Sequence, residues 1–170
     1  SAMSRKYLGK TIDIHAGGAD LIFPHHENEI AQSECANGCK FVNYWLHNGF
    51  VTINKEKMSK SLGNFLTIDK VLENYDANTI RLFILTNHYR MPVEFSDEAL
   101  SSAQAGVKRM LNAKRTKINE DLDITKTEEY KAFVDAMDDD LNTSKALAVL
   151  FDLTSKANKD DKNAFTVLFK

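Results

Sequence analysis

An α/β unit followed by an all-α region is the fold class that these 170 residues predict. Three observations carry that expectation. Six of the seven glycines (Gly9, Gly17, Gly18, Gly38, Gly49 and Gly63) and both prolines, Pro24 and Pro92, lie in the first 92 residues, so turns crowd the front of the chain. A strand-like alternation, a helical stretch and a second strand-like stretch follow one another before Asn54, the order of a parallel α/β sheet. After Ser96 the apolar spacing is helical.

Thr11-Ile12-Asp13-Ile14-His15-Ala16 alternates apolar and polar residues and runs into a turn at Gly17-Gly18. Pro24 suits the first turn of a helix running to about Gly38, a residue type that suits the stop. Asn43 to Ile53 is rich in aromatic and β-branched residues and reads as one strand. Asn54 to Asn64 is polar and basic and reads as a loop. Thr67 and Asp76 are placed to cap two short helices. Ser96, before Asp97 and Glu98, opens a long helix to about Lys117, and Thr127, before Glu128 and Glu129, opens the next. Leu141-Asn142-Thr143 interrupts, a helix follows from about Ser144 to Lys156, and Ala164 to Lys170 is again a helical pattern.

Composition excludes several classes. Apolar residues make up 43% and charged residues 27%, values of an ordinary soluble protein. No apolar run reaches the roughly 18 residues that span a bilayer, so no membrane partner is expected. Two cysteines, Cys35 and Cys39, are too few for a disulfide scaffold, and a cytoplasmic setting is the default. The formal net charge is −2, so contact with a polyanion must use local patches. One such patch is Lys108, Arg109, Lys114, Arg115 and Lys117, where a phosphate contact and a solvated helix face stand equally open.

Two segments carry chemistry. Lys57-Met58-Ser59-Lys60-Ser61 follows a strand and sets two lysines three apart beside small hydroxyl residues. Such a cationic clamp suits a triphosphate, because its ammonium groups can follow the charge that develops as pyrophosphate leaves. A given pentapeptide recurs by chance in a chain of this size only on the order of once in ten thousand sequences, which weighs against a merely solvated basic loop. The second segment runs from Gly17 to Glu29 and contains Pro24-His25-His26-Glu27-Asn28-Glu29. Gly17 and Gly18 let a ligand approach the backbone, and Asp20 can accept hydrogen bonds from ribose hydroxyls. His25 and Glu29 lie on one helix face and can share a metal, with His26 and Glu27 pointing elsewhere. A solvated helix start, with its acids at the positive dipole end, is the plainer reading of the same residues. His15 is expected at the carboxyl end of a strand, where α/β sheets place ligands. Cys35 and Cys39 read as incidental thiols, since metal knuckles use a tighter spacing.

Lys57 to Ser61 resembles the KMSKS signature of class I aminoacyl-tRNA synthetases, and Gly17 to Glu29 resembles the GGxDLxFPHHENE block of the cysteinyl-tRNA synthetase family. Asn43 to Gly49, Asp76 to Arg81 and Ala136 to Thr143 resemble further blocks of that family, in register over nearly the whole chain. The resemblance implies the trailing half of a Rossmann-like nucleotide-binding domain with its KMSKS loop over residues 1–64, a connecting stem-contact region over 65–100 and an incomplete helical tRNA-binding bundle over 101–170. It implies a ligase that activates L-cysteine with ATP and magnesium and passes it to cysteine tRNA. Lys57, Met58, Ser59, Lys60 and Ser61 would serve catalysis, with Lys60 and Lys57 on pyrophosphate. Gly17, Gly18, Asp20 and His15 would hold ATP, and His25 and Glu29 would hold one zinc ion. Zinc would bind the sulfur of cysteine as a thiolate and so reject serine.

The family's two zinc cysteines and its His-Ile-Gly-His motif are not among these residues, and the second cysteine directly precedes a Ser-Ala-Met sequence like Ser1-Ala2-Met3. The expectation is an internal stretch whose N-terminal half is a missing partner. A paralogous cysteine ligase acylating an amino sugar and a non-catalytic module derived from a synthetase are the rival readings. A zinc hydrolase using His25, His26 and Glu29 lacks the two-histidine i, i+4 spacing.

Two outcomes are expected. In the parent enzyme Lys60→Ala lowers adenylation by more than about tenfold, read as cysteine-dependent ATP–pyrophosphate exchange. The purified 170-residue chain alone gives no such exchange; measurable exchange free of contaminating polypeptide would refute the roles given to the missing half.

Overall fold

The alternation at Thr11 to Ala16 does form a strand, and its partner shows why. The structure, a computed structural model, describes residues 1–59, 63, 66–113 and 117–170, and these divide into two units. The first comprises Ser1–Val51 and Tyr89–Pro92. It contains helix α1 (Ala2–Leu8), strand β1 (Ile12–Gly18), helix α2 (Glu27–Asn37) and strand β2 (Val42–Asn48). β1 and β2 pair in parallel from Ile12 opposite Val42 to Gly18 opposite Asn48. Ile12, Phe41 and Val42 are the buried floor of this unit, with Ile30 of α2 and Trp45 packed on it. Gly38 closes α2 in the left-handed conformation that glycine adopts without penalty, at φ 68°.

Three details of this unit differ from the sequence expectation. α1 is an unforeseen exposed helix. β1 runs two residues beyond Ala16, so His15 sits mid-strand opposite Trp45 rather than at the strand's end. Regular helix begins at Glu27 rather than at Pro24. Phe23 precedes a proline, which disfavours the helical region, and it takes an extended backbone (φ −132°, ψ 135°) inside a kinked turn over Ile22–His26.

The second unit comprises Thr52–His88 and Val93–Lys170. The stretch expected as one strand is broken at Gly49, whose N–H goes to Tyr89 O at 2.7 Å; β3 (Val51–Ile53) starts anew. Residues expected to be loop form a hairpin, in which Asn54 and Lys55 turn with φ 53° and 65° into β4 (Glu56–Lys57). With β5 (Val93–Glu94) the sheet order is β4-β3-β5. The helices are α3 (Ile68–Leu72), α4 (Ala77–Leu85), α5 (Asp97–Leu111), α6 (Glu128–Asp138), α7 (Thr143–Ala157) and α8 (Lys162–Phe169).

Their starts follow from short polar side chains. Asp76 accepts from Asn78 N and Thr79 N at 2.9 and 3.0 Å, and Ser96, Thr127, Asn142 and Asp161 each accept from the N–H three residues on. Thr67 occupies the cap position of α3 without a cap hydrogen bond. α5 ends at Leu111, short of Lys117, because Asn112 and Ala113 turn back on Lys108 O and Met110 O and Ala113 is buried. Leu82, Phe83, Leu100, Ala103 and Val107 are the core, joined by Leu147 and Phe151 from α7. A Cβ on Gly106 of α5 would lie 2.9 Å from Leu82 Cδ2 and 3.2 Å from Phe151 Cζ, so only glycine lets these helices approach so closely. Among the described residues no helix is long and apolar enough to cross a membrane.

Leu100 is 1% exposed at the centre of this core. Leu100→Ala should therefore cost about 3 kcal/mol, the usual range for a leucine cavity that cannot collapse. A urea midpoint lowered accordingly at unchanged slope is the expected result; an unchanged midpoint would remove Leu100 from the core.

Candidate metal and nucleotide site

Side chains two apart on a strand share a face, so His15 and Gly17 of β1 lie on the same side as Trp45 and His47 of β2. The Ile22–His26 turn adds His25 and His26, and the first turn of α2 adds Glu29, to this face through close contacts. His15 Nε2 is 3.1 Å and His25 Nε2 3.8 Å from Glu29 Oε2, and the Ser1 amino group is 3.6 Å from Oε1. The Glu29 side chain is only 15% exposed, and no hydrogen bond reaches its buried Oε2; the His15 contact is close but not aligned as one. Donor atoms of His15, His26 and Glu29 lie within 4.8 Å of one another.

The expectation that His26 points away from this group is corrected here. His26 is 3% exposed, its Nδ1 is 2.8 Å from His47 Nε2, and its ring packs 4.8 Å from His15 and 4.9 Å from Trp45. The kink over Ile22–His26 breaks the regular phase that placed His26 elsewhere. Burial, then the neighbouring His15 and His47, hold the His26 imidazole below the usual histidine range. The neutral ring so favoured is the form that donates one hydrogen bond and offers a lone pair to a metal. His47 was missed as well. The alternation Trp45-Leu46-His47 carried the signal, but only a known partner strand shows which face matters.

Gly17 has an internal role beside the one read from sequence. A Cβ there would sit 2.9 Å from His26 Cε1 and 3.0 Å from Leu21 Cδ1. Small size at Gly17 is what lets His26 fold under β1. Asp20 lies exposed in a short 3₁₀ turn, Ala19–Leu21, directly after Gly18. Cys35 and Cys39 are exposed thiols outside the His15–His26–Glu29 cluster.

The arrangement fits a divalent ion. Two imidazole nitrogens and a carboxylate oxygen are borderline donors that suit zinc, and an orphaned buried carboxylate oxygen is what a cation would neutralise. His25 reaches the same oxygen from a 59% exposed position.

The Lys57 segment lies in the second unit. Lys57 is exposed at the end of β4, directly opposite Thr52 of β3, and Met58 and Ser59 follow half-buried. Lys60 and Ser61 lie outside the described residues.

Comparison with known proteins places the chain in a family. The tRNA synthetases class I (C) catalytic domain matches residues 1–105, and the DALR domain matches residues 132–170. A cysteine–tRNA ligase of Geobacter metallireducens is 54% identical over 94% of this chain, which covers 36% of that protein. One of Geobacter sp. strain M21 is 54% identical over 100% of the chain and 38% of the relative. One of Laribacter hongkongensis is 55% identical over 94% and 35%. The chain thus spans little more than a third of the length of these relatives. Among solved structures, Mycobacterium tuberculosis methionyl-tRNA synthetase in complex with methionyl-adenylate matches 99% of the chain and 40% of its own, at TM-score 0.62 and 21% identity. Agrobacterium radiobacter K84 LeuRS, solved as a ternary complex with tRNA and LeuAMS, matches 92% and 23%, at TM-score 0.66 and 18% identity. These two likenesses concern the fold, α/β followed by helices, and the sequence relatives go further. With the catalytic-domain match over more than half of its residues, the chain belongs to the class I tRNA synthetase family, among relatives that are cysteine–tRNA ligases.

Proposed function

We propose that this chain is part of an enzyme that activates L-cysteine with ATP and attaches it to cysteine tRNA. The observation that supports it most is the sheltered Glu29 carboxylate ringed by His15, His25 and His26 beside the Gly17-Gly18 end of β1. Cysteine–tRNA ligase relatives across the whole chain support the same reading.

In the first half-reaction the cysteine carboxylate attacks the α-phosphate of ATP, giving cysteinyl-adenylate and pyrophosphate. In the second, the terminal tRNA hydroxyl attacks the carbonyl and AMP leaves. The work of the protein is positioning and charge stabilisation. Lys57 and Lys60, with Met58, Ser59 and Ser61 around them, are assigned to the pyrophosphate, whose charge magnesium shares in the substrate complex. Gly17, Gly18 and Asp20 are assigned to the adenosine. His25 and Glu29 are the first residues that would hold a zinc ion. His15, first read as an ATP contact, and His26 stand close enough to share that task or to orient the carboxylate. Bound there, zinc would take the substrate sulfur as a thiolate, an interaction that serine cannot match. The neutral His26 imidazole, hydrogen-bonded to His47, fixes the floor beneath these donors. We read residues 1–64 as the trailing part of the nucleotide-binding domain, 65–100 as the stem-contact region and 101–170 as the tRNA-binding bundle.

The test uses the full-length protein from the parent gene. It should hold one zinc per chain and support exchange with L-cysteine and not with serine. Glu29→Ala should reduce bound zinc and lower kcat/KM for cysteine by at least about a hundredfold, the scale of a lost metal-site interaction. Wild-type zinc content and activity in that variant would remove Glu29 from the site. Acylation of an amino sugar in place of tRNA would overturn the choice of acceptor.

A further inference from the structure

The β3–β4 hairpin that carries Lys57 has an unfavourable turn. Asn54 and Lys55 both take left-handed backbone angles, φ 53° and 65°. A two-residue hairpin of this type prefers glycine at its second position, and a lysine has no such tolerance. Something outside the hairpin must hold it. Glu94, on β5 at the other side of β3, reaches across. Its carboxylate accepts from Lys55 N at 3.1 and 3.3 Å and from the Thr52 hydroxyl. The Thr52 hydroxyl first, then the Lys55 N–H, with the Asn54 backbone and the charge of Lys55, hold the Glu94 carboxyl below the usual carboxylate range. The backbone supports the same brace, since Phe95 N donates to Thr52 O at 2.7 Å. Thr52 is the residue directly opposite Lys57 in the hairpin register. One side chain therefore ties the turn and the strand position facing Lys57 to a third strand 39 residues away in sequence.

We infer that Glu94 is a positioning residue for the adenylation step, fixing the hairpin so that Lys57 meets the triphosphate at a set place. The inference rests on the pyrophosphate role proposed for Lys57. Glu94 itself touches no reacting atom. It acts by restricting where β4 can deliver the ammonium group, and misplacement of a charge contact costs rate rather than ground-state binding of the other substrate.

The test uses the full-length enzyme in cysteine-dependent ATP–pyrophosphate exchange, with hydrogen exchange as a second readout. E94A should lower kcat about tenfold with KM for cysteine unchanged, and amide exchange over residues 54–59 should accelerate. E94Q, which keeps the volume and one acceptor oxygen, should lose less in the same direction and guards against a variant that fails to fold. In a K57A background E94A should cost less than about twofold further, because the path through Lys57 is already gone. Wild-type kcat in E94A, unchanged protection of the hairpin, or an E94A loss as large with K57A as without it overturns the inference. The two levels separate cleanly. Wild-type exchange in K57A alone refutes the role of Lys57 and the positioning with it, whereas an impaired K57A beside a normal E94A refutes the positioning only.

Discussion

The first unit is organised around a carboxylate withdrawn from water. A charge removed from solvent needs partners, and Glu29 has its Oε2 buried without a hydrogen bond. The side chains supplied to it are the imidazoles of His15 and His25. Imidazole is a conditional partner, since it carries a charge only when protonated and otherwise offers a lone pair. A buried acid surrounded by lone pairs is poorly satisfied by protein alone and well satisfied by a cation. The rest of the unit can be read as the scaffold for this arrangement. Phe41, Val42 and Ile12 fix the β1–β2 pairing, and the pairing sets His15, Trp45 and His47 on one face. The missing side chain of Gly17 leaves room for His26.

The second unit depends on apolar packing instead. Helices α4, α5 and α7 start at caps that are satisfied locally and bury one face each around Leu100 and Leu82. The close approach at Gly106 joins α4, α5 and α7 into one core. Polar groups here tie ends together: Ser144 and Thr143 at the start of α7 donate to Thr86 O and Asn87 O just after α4. Few kcal/mol ride on any one such bond, but each fixes where a helix begins relative to the core it packs on.

Legibility in the sequence follows the range of the forces involved. The caps Asp76, Ser96 and Thr127 were readable because a cap is a contact over three residues. The β1 alternation and the Gly38 stop were readable for the same reason. His25 with Glu29 was found by helical spacing, although the helix begins later than expected. His26 was misplaced because spacing assumes an unbroken helix and the chain kinks before it. His47 was unassigned because the face of β2 has meaning only once β1 lies beside it. The β3–β4 hairpin was read as loop because its turn sequence is a poor one and the group that rescues it, Glu94, is distant in the chain. For His47 and the hairpin a tertiary contact decided the outcome, for His26 the extended backbone that Pro24 favours at Phe23 did, and the two histidines concern the proposed site.

The two chemical segments are supported in different ways, and the difference suits their proposed tasks. Donors for a metal must converge within a few tenths of an ångström, so they belong on elements that share a buried floor. His15 comes from the middle of β1, His25 and His26 from the turn that leads into α2, and Glu29 from the first turn of α2, on a floor of Phe41, Ile30 and Trp45. A cation that follows charge onto departing pyrophosphate needs reach more than rigid convergence. Lys57 sits exposed at the end of a two-residue strand. Such a strand would be poorly defined by its own pairing, since an isolated short hairpin is marginal in water. Polar bracing from Glu94 and Thr52 supplies direction at that point without burying the lysine. For the role proposed for Lys57, a lysine on an exposed strand end whose backbone is aimed by this brace would meet phosphate oxygens as the charge of the reaction develops.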